Sequence, residues 1–256
     1  MKYKYLNFLV IFFALGLGIL ILVLGWPFWL LIFSLLVYIA FQITVSTNIR
    51  WNYFVKGFHK NTGMAEQAVG LSFDDGPVEN TLRILEVLDR HAVKAAFFCI
   101  GENIKTNPEI FKEIIKRGHI VGNHTYSHSK FLGIFSRDGW LSEIKRCDEI
   151  AKDIAGVKME LFRPPFGILN PKTKRALKIT GHKVIGWSIR PYDAITGSED
   201  LILKRITKNI EKGDLILLHD NMDKTVAILE QLLVILKEQN FGVVRPDELF
   251  DINAYT

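Results

Sequence analysis

The stretch Leu6–Val45 contains no Asp, Glu, Lys or Arg. It is about twice the ~20 apolar residues that carry one helix across a bilayer, and its single interruption, Gly25-Trp26-Pro27, has the residues of a tight turn. The sequence therefore predicts a transmembrane hairpin of two helices, about Leu6–Leu24 and Phe28–Val45. Trp26 and Trp29 fall at the turn, and Tyr3, Tyr5, Trp51 and Tyr53 at the open end, where interfacial aromatics belong. A cleavable signal sequence is the rival reading, but its apolar region is only about 7–15 residues long. One span followed by an interfacial segment is the other alternative.

Charge separates this hairpin from the rest. The first acidic residue is Glu66, and five bases precede it: Lys2, Lys4, Arg50, Lys56 and Lys60. Those five account for the whole net charge of +5, since removing them from 32 basic residues leaves 27 against 27 acidic ones. The basic balance is thus a membrane-flank effect and gives no nucleic-acid footprint. Bases at the open end and none at the turn favour the cytoplasmic side for both ends of the hairpin. The expected organisation is an integral-membrane anchor over 1–48, a linker over 49–65 and a catalytic domain over 66–256.

From Ala68 onward short apolar runs recur, at 68–73, 94–100, 119–122, 160–163, 182–189 and 214–219, with a weaker one at 243–246. Segments with the apolar period of a helix separate several of them, among them 81–91, 109–118, 140–154 and 226–239. Asn107-Pro108 and Asn170-Pro171 each offer an N-cap followed by proline at the first helical position. Gly118, Gly181, Gly213 and Gly242 are placed to close helices before strands. Repeated βα units predict an α/β fold with a mostly parallel sheet. Strand order is not readable from this pattern, so a closed barrel and an open doubly wound sheet both remain. Cys99 and Cys147 have neither metal nor redox spacing, and Cys99 sits in an apolar run as a core residue.

The chemistry-bearing residues gather where these runs end. Asp74 and Asp75 follow the first run in LSFDDGP, His124 and His128 follow the third in HTYSH, and Arg163 ends the fourth in RPPF. Asp193 follows the fifth in RPYDA, and His219 ends the sixth in ILLHD. Barrels and open sheets alike place active sites at these strand ends. A four-residue spacing aims two imidazoles at one point on a helical turn, and one carboxylate from the first strand completes a two-His, one-Asp set with open positions. That is the form of a catalytic metal site; zinc fits, and iron, cobalt and manganese suit the same donors. Metal-assisted hydrolysis also needs an unligated carboxylate to take the proton of the attacking water, so the adjacent acids read as a ligand and a base. His59, His91, His119 and His182 have no such company and read as surface or packing residues.

LSFDDGP, HTYSH, RPPF and ILLHD resemble four motifs of the polysaccharide deacetylases, the NodB-type domain of carbohydrate esterase family four. The resemblance spans about 66–250 and implies a distorted (β/α) barrel that hydrolyses an N-acetyl group on a sugar with a divalent metal. It implies Asp74 as general base, Asp75, His124 and His128 as metal ligands, and Arg163 as the partner that orients Asp74. His219 becomes the acid that protonates the departing amine, with Asp193 holding its imidazole. A backbone N–H near Phe166 stabilises the oxyanion, and Leu217 lines the acyl pocket.

The fourth motif departs from the family pattern, since Arg190 stands where an acid is usual and Ala194 where a large aromatic is usual. The expectation is a substrate cleft reshaped around Arg190 toward an anionic substrate. Three functions follow: a membrane-anchored glycan N-deacetylase, a deacetylase or deformylase of a polyprenyl-linked sugar at the membrane face, and a silent glycan-binding or scaffold protein. Many family members work outside the cell on wall or capsule polymers, which leaves the side of the membrane open.

Overall fold

The computed structural model describes residues 2–195 and 197–256, without the side chains of residues 2–4. The interfacial Tyr3 and the flanking bases Lys2 and Lys4 therefore lie outside the described side chains. Helices α1 (Lys2–Leu24) and α2 (Trp29–Thr47) form the expected hairpin. Gly25 turns the chain at φ +67°, and the Tyr38 hydroxyl donates to Asn7 Oδ1 at 2.9 Å, tying the helices together. Their large apolar side chains stand exposed, Phe12 at 73% and Leu22 at 86%.

The remainder is a curled sheet of eight strands in the order β1-β6-β5-β4-β3-β2-β7, with β8 on β2 beside β7. The strands are β1 (Gly57–Phe58), β2 (Ala68–Asp74), β3 (Ala96–Cys99), β4 (Ile120–Asn123), β5 (Leu161–Phe162), β6 (Lys183–Ile185), β7 (Leu215–His219) and β8 (Gly242–Val244). All their pairings are parallel. The two edges of the path approach without a full ladder. Ile189 bridges Ile216, and Lys60 bridges Asp214, so the barrel is distorted and held shut by single bridges.

Helices α3 (Glu79–Arg90), α4 (Gly101–Thr106), α5 (Pro108–Lys116), α6 (Arg137–Ala155), α7 (Pro171–Thr180), α8 (Glu199–Thr207), α9 (Lys224–Glu238) and α10 (Pro246–Phe250) complete the domain. Alternation along β2 divides its work. Val69, Leu71 and Phe73 join the core shared with α3 and α9, while Gly70, Ser72 and Asp74 take the other face, toward the barrel interior.

Several expectations need correction. Residues 49–65 are not a free linker: Ile49 and Phe54 are buried, and Gly57–Phe58 pairs with Val184–Ile185 as an edge strand. Two residues are too short a run for periodicity to reveal. Gly242 does not close a helix; it opens β8, and Asn240 takes the positive φ after α9. Gly118 and Gly181 close α5 and α7 with positive φ, whereas Gly213 takes positive φ in the turn before β7, well after α8 ends at Thr207. Asn170 caps α7 through Lys172 N–H and Thr173 N–H. Asn107 makes no such cap; its amide donates to Pro77 O at 3.0 Å, on the turn that follows the two adjacent acids.

Candidate active site

Asp74 closes β2 opposite His219 of β7 and Phe98 of β3. Strict alternation would send Asp75 to the opposite face. Instead Asp75 takes φ +80°, and this left-handed turn swings its carboxylate back over the strand ends. Asn103 Nδ2 holds its carbonyl at 2.6 Å. Gly76 follows because nothing larger fits: a Cβ there would lie 2.0 Å from Asp220 Oδ2.

Asp75 Oδ1 lies 3.5 Å from His124 Nε2 and 3.4 Å from His128 Nε2, and the three ligand atoms lie within 4.8 Å of one another. Donors bound at ~2.0–2.1 Å around a tetrahedral ion sit about 3.3 Å apart, so the set fits a divalent metal. His124 is prepared for the task. Its Nδ1–H donates to Arg163 O at 2.7 Å, which leaves the Nε2 lone pair facing the site. The two histidines are not on a helical turn, as their spacing had suggested. They lie in a loop with positive φ at Thr125 and His128, where Thr125 Oγ1 accepts the His128 N–H at 3.2 Å.

Asp74 stands beside this set. Its Oδ2 is 3.8 Å from His124 Nε2, and its Oδ1 accepts from Arg163 Nη1 at 2.7 Å. Arg163 is fully buried and spends its other donors on Ser72 Oγ, Ile185 O and Gly186 O at 2.9, 3.2 and 2.7 Å, with its guanidinium over the Phe98 ring. A guanidinium fixed in this way presents one orientation to Asp74. Across the site, Asp193 accepts from His219 twice, from the backbone N–H at 2.7 Å and from Nδ1 at 2.9 Å.

The electrostatics separate the roles. Burial works against the charged forms of both Asp75 and His219, and in both cases the partners win. The His124 hydrogen bond and charge, then His128 and His219, pull Asp75 down to about 2. The Asp193 hydrogen bond and charge, with Asp74 and Asp75, raise His219 to about 9. Burial lowers His128, which suits a neutral ligand.

The profile described as polysaccharide deacetylase matches residues 61–185. A peptidoglycan N-acetylglucosamine deacetylase of Bacillus cereus is 35% identical over 188 residues, covering 71% of this chain and 68% of that protein. The chain belongs to the polysaccharide deacetylase family. This family's hydrolases act on the amide of N-acetylated sugars. The fold agrees: a peptidoglycan N-acetylglucosamine deacetylase crystallised with a naphthyl N-hydroxybenzamide superposes with a TM-score of 0.72 at 32% identity, over 78% of this chain and 94% of the other. A family pseudoenzyme from Bacillus anthracis superposes with 0.68 at 28% identity, over 73% and 66%.

Within this deacetylase fold the remaining expected residues are differently placed. Leu217 lies inside the barrel two residues before His219, in a cluster with Phe162 and Trp187. Phe166 is exposed at φ +58°, its ring 4.8 Å from that of His128. Arg190 is not among the catalytic residues. It lines a separate cavity behind Trp187, whose walls include none of Asp74, Asp75, His124, His128 or His219.

The structure also brings in residues that the motifs did not reveal. Glu143 of α6 is buried and accepts from Tyr126 N–H, Ser127 N–H and Ser127 Oγ–H, fixing the loop that carries both histidines. Its signal was an acid on the apolar face of α6, three residues from Trp140 and four from Cys147. Asp220 is buried beneath the Asp75-Gly76 turn and accepts from Thr81 Oγ1 at 2.7 Å. Burial first, then Asp75 and Asp74, raise it to about 7.

Proposed function

We propose that this protein is a metal-dependent N-deacetylase that hydrolyses the acetamide of an N-acetylated sugar in a glycan, held at a membrane by its N-terminal hairpin. One observation carries the reading: a three-donor set, Asp75, His124 and His128, stands beside an unligated carboxylate, Asp74, that buried Arg163 clamps. Family membership alone would not carry it, because the family includes a pseudoenzyme. A divalent ion held by the three donors, zinc by preference, supplies Lewis acidity toward the water and the acyl oxygen.

The chain's own residues do the rest. Asp74 takes the proton of the attacking water through the oxygen that Arg163 leaves free. The turn at Phe166, packed against His128, offers a backbone N–H to the developing oxyanion. Protonated His219 gives its Nε2 proton to the departing amine, while Asp193 fixes the tautomer and supports the charge. Leu217, beneath His219, bounds the acyl side. Water and amide become acetate and amine, and the two proton carriers are reset by exchange with solvent.

Two apolar helical spans of 20 and 19 residues support the bilayer part of the reading, as does the apolar surface they leave uncovered. The test is acetate release by the full chain in a neutral detergent, on N-acetylglucosamine oligomers, with and without a chelator. Release abolished by the chelator and by Asp74→Asn supports the proposal. A folded, metal-loaded protein that binds the oligomers without releasing acetate would sink it in favour of a silent glycan-binding protein.

A further inference from the structure

We propose that the cavity at the foot of the hairpin binds the phosphate of an anionic lipid headgroup. This rests on the bilayer reading above and not on the deacetylase chemistry. The cavity measures about 780 Å³ and lies over the seam where the barrel is closed only by single bridges. One wall is the end of α2, with Thr47, Asn48 and Arg50; facing it are Lys60, Arg190 and Arg205.

Four cations around one cavity would be unremarkable if each were paired. Lys60 is, by Glu211 at 2.5 Å and Asp214 at 3.1 Å, and Arg205 donates to Pro191 O at 3.1 Å. Arg50 and Arg190 pair with no carboxylate among the described residues. Arg190 is held rigidly all the same, its guanidinium 5.2 Å from the Trp187 ring and 5.3 Å from the Tyr192 ring. Its Nε is buried without a hydrogen-bond partner. Buried donors without acceptors are costly to maintain. A guanidinium oriented by two rings and without a carboxylate partner is matched to phosphate oxygens.

The position selects a lipid over a soluble anion. Helix α2 has 19 residues, about 28 Å at 1.5 Å per residue, close to the ~30 Å hydrocarbon core. Its last residue, Thr47, therefore marks the hydrocarbon boundary, and the cavity begins at headgroup depth. Exposed Phe41 and Ile43 lead along the helix into the same cavity, Ile43 forming part of its wall, so a phosphate seated there has its acyl chains against α2. Trp187 lines this cavity and also meets Arg163, whose Cζ is 5.9 Å from the ring centroid, while Arg163, Asp74 and His219 are not part of the cavity wall.

The experiment is native mass spectrometry of the full chain in neutral detergent, titrated with phosphatidylglycerol, phosphatidylcholine or inorganic phosphate. One phosphatidylglycerol should be retained at least about tenfold more tightly than phosphatidylcholine. The Arg50→Gln/Arg190→Gln variant should lose that preference, and Lys158→Gln, on an exposed loop before β5, should keep it. Equal retention of the two lipids, or a preference unchanged in the double variant, overturns the proposal. Displacement of the lipid by stoichiometric inorganic phosphate overturns the lipid assignment and leaves a simple anion site. If the double variant does not fold, exposed Arg50→Gln alone carries the comparison. Acetate release and resistance to alkaline extraction from membranes, measured on the same preparations, report separately on the deacetylase and bilayer readings.

Discussion

Under the proposed function two adjacent aspartates carry different duties, and the backbone allows it because one residue, Asp75, adopts φ +80°. The turn lets Asp75 join the histidines while Asp74 stays on the strand under Arg163. Asp75→Asn should therefore abolish metal binding, whereas Asp74→Asn should retain a full equivalent of metal and lose about 10²–10⁴ in kcat, the usual contribution of a general base. Metal analysis beside acetate release separates the two; equal metal loss in both variants would refute the division. His219 makes a second prediction. Its protonated form is the acid, and the Asp193 pair is what lifts it to about 9. Activity should fall as pH rises through that region, and Asp193→Asn should move this alkaline limb down by roughly 1–3 pH units. An unmoved limb would remove His219 from the acid role. The gathering of these residues was legible in the sequence because each ends or follows an apolar run. The cavity that Arg190 lines was not legible, because a motif position fixes a place in the chain and not the cavity that its side chain enters.

At the scale of elements, the sequence announced the long pieces and concealed the short ones. Helices α6 and α9 follow from their apolar period and β5 from the run at 160–163, but β1 has two residues outside any such run, too few for a pattern. The supports of the site were hidden for a related reason: Glu143 belongs to a helix whose charge looks like solvated surface until α6 is docked. Glu143→Ala strips three hydrogen bonds from the histidine loop. Leaving buried N–H groups unpaired costs about 1–3 kcal/mol each, so the variant should melt lower and bind metal roughly 10-fold or more weakly. Unchanged metal affinity would show that the loop holds its shape without α6. His119, at the mouth of β4, read as a packing residue and is one. Its ring nitrogen accepts the Ala95 N–H at 3.1 Å, and burial, with Lys94, lowers it to about 4. A histidine depressed in the fold is neutral there, and the unfolded chain binds the proton first. The stability it protects is thus complete above about 6.5 and is lost as pH falls toward 4. Denaturant midpoints in His119→Gln should lose that part of the pH slope.

Over the whole molecule, the hairpin and the barrel are not a tether and a passenger. Leu169 N–H donates to Ser46 O at 2.8 Å, and Ile49 packs against Gly186, whose carbonyl holds Arg163 Nη2. The foot of the hairpin is thus linked through one glycine to Arg163, the clamp on Asp74. The end of the apolar stretch was legible, since charge alone marks it. That the intervening segment closes the barrel edge was not, because its strand has no pattern and its buried Ile49 and Phe54 are isolated in the sequence. Cutting at the apparent domain boundary should therefore be harmful. A chain of residues 66–256 loses β1 and those two side chains, worth about 1.5–3 kcal/mol each on burial, or roughly 3–6 kcal/mol of the 5–15 that a domain has to spare. A chain of residues 49–256 keeps them. Urea unfolding should place the shorter chain below the longer by that amount, with acetate release reduced in step because the support of Gly186 is gone. Equal stability and activity in the two would show that the segment merely lies on a barrel able to close by itself.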